Sequence, residues 1–293
     1  MLRNAKSLPD QCRTCLARRD GLCSDIAGAD FSLLQRRRSG DRRFKPEQEI
    51  LPIGQPCDSI YNLTSGWAFR YALLEDGRRQ ILDFILPGAV IGFQSVAGAR
   101  ASYGVQALTE ATVCAIRHSA LIELCRQLPD LGLRLAWLTA RDRSLAYDHL
   151  TSVGRHSAHQ RVAHLILELF VRCRAQWPGE QINDMHLPLT QEHVGDAVGL
   201  SSVHVNRVLR DLRSEGIVEL HYRRLSILNP DKLMEVAETD PDLLVNWMNS
   251  CRQTDDPGDS IAGGCNATLQ KDQAGANRAL SIAHETKRSP AVI

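Results

Sequence analysis

The chain has 293 residues, of which 43% are hydrophobic and 24% charged, with a formal net charge of +1 at pH 7. These proportions exclude a fibrous or wholly disordered protein and allow an ordinary core in one or two domains. No apolar run reaches the roughly 18 to 20 residues that span a bilayer, and the opening MLRNAKSLPDQC lacks the apolar stretch of a secretory signal. A cytoplasmic protein with no membrane partner is expected.

The first feature in chain order is CRTCLARRDGLC, which places Cys12 and Cys15 in a CxxC pair and Cys23 after a gap of seven residues. In a reducing compartment clustered thiols serve metal binding or redox sensing more readily than disulfides, and nine cysteines, an odd number, fit no simple paired framework. Spacing alone leaves zinc, an iron–sulfur cluster and a thiol switch open. A CxxC oxidoreductase is disfavoured because no βαβ pattern surrounds the motif. The basic runs Arg36–Arg38 and Arg42–Lys45 read as a solvated face beside this arm. Arm and short helix together take residues 1–44.

From 45 to 128 the chain alternates short apolar runs with glycines at turn-like intervals, including Asp76-Gly77, a strong hairpin dipeptide. This predicts an antiparallel β-roll closed by a short helix over Ser119–Leu128. Cys57 and Cys125, like Cys173 further on, read as small buried hydrophobes. Pro129 then suits the first turn of a long helix over 129–154. Along it Leu131, Leu135, Leu138 and Leu145 fall at the 4-3-7 spacing of a coiled-coil seam, with Asp142 and His149 in its polar slots. A homodimer interface on these leucines is predicted, with a core helix packed only on its own chain as the alternative.

A second compact unit is expected over 155–240. It opens on a helix with Val162, Leu165, Ile166, Leu169, Phe170 and Cys173 on one face, followed by a polar connection containing WPGEQIND. In LTQEHVGDAVGLSSVHVNRVLRDLRSEGIVELHYRRLSIL, Thr190 caps a helix that ends at Gly199, and Ser201 or Ser202 caps a second one. Gly195 suits a close helix–helix approach, and two short strands with Tyr222, Arg223 and Arg224 at their tip complete a winged helix-turn-helix. The second helix exposes Ser202, Val203, His204, Asn206, Arg207 and Arg210, with Arg213 further along, as groups to meet base edges and phosphates of double-stranded DNA. A dimer would set two such helices about 34 Å apart and favour a palindromic site. Residues 241–293 have the composition of a disordered tail. No paired carboxylates, nucleophile triad or phosphate loop appears, so no catalytic residue and no enzyme activity is expected.

The order of parts, with the blocks DFILPGAVIGFQSV, ALTEATVCAI and VGDAVGLSSVHVNRVLRDLRSEGIV, resembles the CRP/FNR superfamily of transcription regulators over residues 11–232. The overall class implied is α+β: β-roll, dimerisation helix, winged helix. Within the superfamily the cysteines resemble the FNR-like oxygen sensors, in an FnrN-type branch with a longer gap before the third cysteine. That resemblance implies a [4Fe-4S] cluster held by Cys12, Cys15, Cys23 and Cys114, with zinc as the alternative. It also implies promoter DNA and RNA polymerase as partners. Cyclic nucleotide is disfavoured, because the Gly-Glu pair of nucleotide-binding members reads Gly92-Phe93 here and Arg100 lies off the pattern. The Glu-x-x-Ser-Arg motif of FNR-type recognition helices reads Val203-x-x-Asn206-Arg207, so the usual FNR half-site is not implied.

Overall fold

The computed structural model describes residues 12, 15, 18, 21–24, 26–93, 100–176 and 184–239. The predicted tail over 241–293 lies outside them. A helix α1 (Gly28–Arg37) leads into β1 (Arg38–Phe44), which is followed by β2 (Glu49–Leu51), β3 (Ser59–Ser65) and β4 (Ala68–Leu73). Then come β5 (Arg79–Ile85), β6 (Val90–Ile91), β7 (Gly104–Ala107) and β8 (Ala111–Arg117). They form two four-stranded antiparallel sheets, ordered β1-β8-β3-β6 and β2-β7-β4-β5. Asp76-Gly77 makes the predicted β4–β5 turn, with Gly77 at φ 82°.

Side chains alternate across a strand with period two, and here both faces of the central strands are covered. Leu63 on β3 and Val113 and Ala115 on β8 point into the roll with Ile85, Ile91 and Val105. Ile60 and Ile116 point outward, into a second core built with Leu22, Phe31 and Leu34 from the arm and α1. Strand β1 falls within the span expected to be arm. Its sequence, RSGDRRF, hides the strand because it is an edge with five consecutive exposed residues, leaving no apolar alternation to read.

Helix α2 (His118–Gln127) and the 27-residue α3 (Pro129–Arg155) follow, the latter with Pro at its start as expected. The predicted seam faces inward. Leu131, Leu135 and Leu138 are buried against Phe31, Leu34, Leu121 and Leu124, and Leu145 packs into the core of the second unit. A 4-3-7 stripe marks an apolar face without saying what covers it, and here the same chain covers it. Asp142 is likewise taken up internally, 3.0 Å from the Arg70 guanidinium, which also pairs with Asp83 at 3.0 Å. The exposed side of α3 carries a second 3-4 series, Leu133, Ala136, Ala140, Arg143, Tyr147 and Leu150, with Trp137 beside it.

Helix α4 (Ala158–Gln176), β9 (Asp184–His186), α5 (Gln191–Val198), α6 (Ser202–Ser214), β10 (Val218–His221), β11 (Arg224–Ile227) and α7 (Pro230–Val236) complete the described chain. The expected apolar face of α4 packs on Val194, Val198, Val205, Val208 and Leu212. This unit rests directly on the roll: Arg79 on β5 pairs with Asp196 on α5 at 2.7 Å, the Gln80 side chain donates to the Ala197 carbonyl at 2.9 Å, and Arg172 on α4 donates to the Phe84 carbonyl at 2.8 Å. Among the described residues no helix is long and apolar enough to cross a membrane.

Candidate functional site

Thr190 closes the start of α5 with a capping box, its hydroxyl accepting from the His193 amide at 3.1 Å while His193 Nδ1 accepts from the Thr190 amide at 3.2 Å. Burial, and then the charge of nearby Arg79, lower the His193 pKa, which keeps that ring nitrogen unprotonated for the cap. Gly199 ends α5 at φ 69°, in the left-handed region that glycine enters without steric cost. Ser201 then caps α6 by accepting from the His204 amide. A Cβ on Gly195 would lie 2.5 Å from the Leu200 carbonyl oxygen, so the predicted close approach at this glycine is real.

Val205, Val208 and Leu212 anchor α6 in the core. The opposite face exposes Ser202, Val203, Asn206, Arg207 and Arg210, with His204 half-buried beside them. A polar hollow of about 640 Å³ runs along this face and reaches Gln191 at the start of α5. Arg213, further along α6, is exposed and pairs with Glu219 on β10 at 2.8 Å. The wing is a two-residue hairpin whose tip, Tyr222 and Arg223, has φ of 48° and 62°, the primed-turn geometry whose twist suits paired strands. Tyr222 is 91% exposed. Arg224, expected at the tip, is instead held at 2.9 Å by Asp184 on β9, a third strand of the wing sheet that the polar connection conceals.

The cysteine site lies on the outer face of the β1-β8-β3-β6 sheet. Cys12 and Cys23 are buried with Leu22 against Ile60 and Ile116, and Cys114 occupies the same face of β8. Burial, followed by the proximity of Cys114, Cys15 and Cys12, pushes the Cys23 thiol up to about 12. Burial pushes Cys114 up to about 11, against the opposing effect of Arg38. Cys23 thus has the other three predicted ligands within electrostatic reach, and Cys114 has Cys15. Arg38 Nη1 donates to Cys12 Sγ at 3.3 Å, and the same guanidinium is tied to Asp41. Arg38 was not singled out as a site residue: it belongs to a run of three arginines, and only the strand that starts there turns it toward the thiols.

The donor set, four thiols, suits a thiolate-bound zinc ion or an iron–sulfur cluster. Four thiolates gathered in an apolar pocket need a cationic centre to offset their charge, and the raised thiol pKa values show how strongly the protein alone resists ionising them. A zinc ion takes four sulfurs about 2.3 Å from one point, and a [4Fe-4S] cluster takes four thiolates, one to each iron; among the described residues no three His, Cys, Asp or Glu side chains are already grouped to hold a metal ion. Phe93, standing where nucleotide-binding members carry Glu, is half-exposed, and Arg100 donates to the Gly54 carbonyl at 2.9 Å.

A β-roll joined by a long helix to a winged helix-turn-helix defines a DNA-binding regulator. The comparisons agree: residues 160–236 match the Crp-like helix-turn-helix domain, and residues 41–128 match the cyclic nucleotide-binding domain. The chain is 34% identical over 195 residues to the nitrogen fixation regulation protein FixK of Rhizobium meliloti, covering 66% of this chain and 85% of that one. It is 27% identical over 247 residues to the transcriptional activator protein FnrL of Cereibacter sphaeroides, covering 82% and 97%. The solved structure of FixK2 from Bradyrhizobium japonicum superposes with a TM-score of 0.62 at 28% identity, over 68% of this chain and 98% of that one. The protein belongs to the CRP/FNR family of transcription regulators, and its function is DNA binding in transcription control, not catalysis.

Proposed function

We propose that the protein is a homodimeric, oxygen-responsive regulator of promoters, with a [4Fe-4S] cluster held by Cys12, Cys15, Cys23 and Cys114 as its sensor. The observation that supports this reading is the nearness of Cys23 on the arm to Cys12, Cys15 and Cys114, with Arg38 donating to Cys12 beside them. When bound, such a cluster supplies a redox centre that oxygen can dismantle. The chain's own residues do the rest. Arg38 supplies positive charge to the thiolates. Leu22 fastens the arm to the sheet, and the buried Arg134 on α3 donates to the Gly21 carbonyl at 3.2 Å, so the arm bears directly on the long helix.

The dimer forms through the exposed series on α3, Leu133 to Leu150, because heptad-spaced apolar side chains on a solvent face are the surface a second copy would bury. Paired recognition helices then read a palindromic site in promoter DNA, and the bound dimer meets RNA polymerase in the cytoplasm. Arg207 suits bidentate contact with guanine, while Val203, 79% exposed, offers an apolar surface to a thymine methyl. A relative in Pasteurella multocida bears the name anaerobic regulatory protein, in keeping with this role.

The test is the iron and sulfide content and visible spectrum of anaerobically purified protein before and after air. Roughly four irons and four sulfides per chain are expected, with absorbance that air bleaches, and Cys114→Ser should lose most of both. Stoichiometric zinc without sulfide, or unchanged cluster content in Cys114→Ser, would overturn the reading.

A further inference from the structure

Strands β3 and β8 pair with Asn62 opposite Cys114, and the same row continues to Asp41 on β1 and Val90 on β6. Register partners share a sheet face, with Cβ atoms about 4.5–5.5 Å apart. This face is the one the arm covers: Ile60, two residues before Asn62, and Ile116, two after Cys114, pack with Cys12, Leu22 and Cys23. Asn62 therefore stands beside the fourth cysteine and beneath the arm, with 1% of its surface exposed. Neither Oδ1 nor Nδ2 of its amide has a hydrogen-bond partner. The Arg38 guanidinium on β1 donates to Cys12 and Asp41 and lies against Cys114.

A buried amide with both ends unpaired is destabilising, and an apolar side chain would avoid that cost. A polar group in such a place has use only if something completes it. We propose that the Asn62 amide is a hydrogen-bond donor to the cofactor of the cysteine site, its Nδ2–H meeting a sulfur of the bound cluster at the Cys114 corner. The proposal rests on the reading of the four cysteines as cluster ligands. A neutral N–H suits this position: it disperses negative charge on sulfur without adding a second full cation to the one Arg38 supplies. Hydrogen bonds to cluster sulfurs raise the reduction potential, so the donor makes the cluster harder to oxidise and sets how quickly air destroys it.

Wild type, Asn62→Leu and Asn62→Ala are compared, each purified anaerobically and reconstituted with ferrous iron and sulfide. Leucine keeps the side-chain volume, and alanine serves if leucine fails to fit. Both variants should take up iron and sulfide as the wild type does, yet bleach in air about tenfold faster, the scale of one charge-assisted hydrogen bond. The iron–sulfur stretching bands of the wild type should shift on transfer to D₂O, with that shift diminished in both variants. The cluster-free Asn62→Leu protein should meanwhile unfold at higher urea than wild type, because its core no longer holds an unpaired amide. Wild-type bleaching rates and an unaltered isotope shift in the variants would overturn the proposal while leaving the cluster intact. A wild type that takes up no iron or sulfide would overturn the reading of the cysteines and this proposal with it.

Discussion

Replacing Gly195 by alanine puts a number on the tightness of the helix-turn-helix. The added Cβ would stand 2.5 Å from the Leu200 carbonyl oxygen, against about 3.3 Å for an ordinary carbon–oxygen contact. The turn cannot slide away freely, because the Leu200 amide donates to the Gly195 carbonyl at 3.0 Å and so pins the same two residues together. Alanine gains about 1 kcal/mol in helix propensity, while a forced backbone shift in a packed site costs about 1–3 kcal/mol. The clash is with backbone, which places the cost at the upper end and leaves a net loss of about 1–2 kcal/mol. The shift also re-aims α6, so affinity for promoter DNA should fall about tenfold, as 1.4 kcal/mol would produce. Gly132→Ala is the control: its Cβ would meet Cys125 Sγ at 3.8 Å, an ordinary contact, and it should stabilise by up to about 1 kcal/mol. Urea unfolding and fluorescence anisotropy with promoter DNA measure the two effects. Equal stability of the two variants, with unaltered DNA binding in Gly195→Ala, would refute the reasoning.

Leu138→Ala should cost the folded chain about 2–5 kcal/mol in urea unfolding, whereas Tyr147→Glu with Leu150→Glu should separate dimers in sedimentation and leave the melting of the monomer near wild type; the reverse pattern would restore the inward leucines as the dimer seam. Val203→Glu should move preference at one operator position toward cytosine, and Arg207→Ala should weaken specific binding by about 1–3 kcal/mol, as read on an operator library. In the cluster-free protein Cys23 and Cys114 are raised from 9.0 to about 12 and about 11, first by burial, so the folded state holds their protons more tightly than the unfolded chain does. Their contribution is complete below about pH 9 and lost as pH climbs toward 11 and 12. The urea midpoint should fall over that window, and Cys114→Ser should flatten the fall.

Local rules carried the sequence reading furthest where one residue settles one geometry. Thr190, Gly199, Ser201 and Gly216 each mark a helix boundary by a cap or a left-handed turn, and Asp76-Gly77 marks a hairpin; all behave as their chemistry dictates. Cys114 was reached by resemblance, since nothing in TVCAI distinguishes a ligand from a core thiol. What stayed hidden depends on which surface covers which. The α3 leucines were legible as an apolar stripe, but the arm and α1 that bury them have too little apolar content to announce a second core. Strand β1 has exposed charges where alternation would be sought, and Arg38 reads as one more surface arginine until the strand turns it. Asn62 sits in SIYNLTS, a strand buried on both faces, where a lone amide reads as a flaw in the pattern.

The pairing of Arg79 with Asp196 and the Gln80 bond to Ala197 give the DNA-reading unit a second mounting point besides the α3–α4 joint. A body hinged at one place swings freely; one fastened at two must release a fastening before it turns. Any reorientation of α6 that leaves the roll still must therefore break a partly buried ion pair and a side-chain-to-carbonyl hydrogen bond in the same event. Such a turn would work as a latch, and its fastening lies on β5, in the opposite sheet of the roll from Cys114.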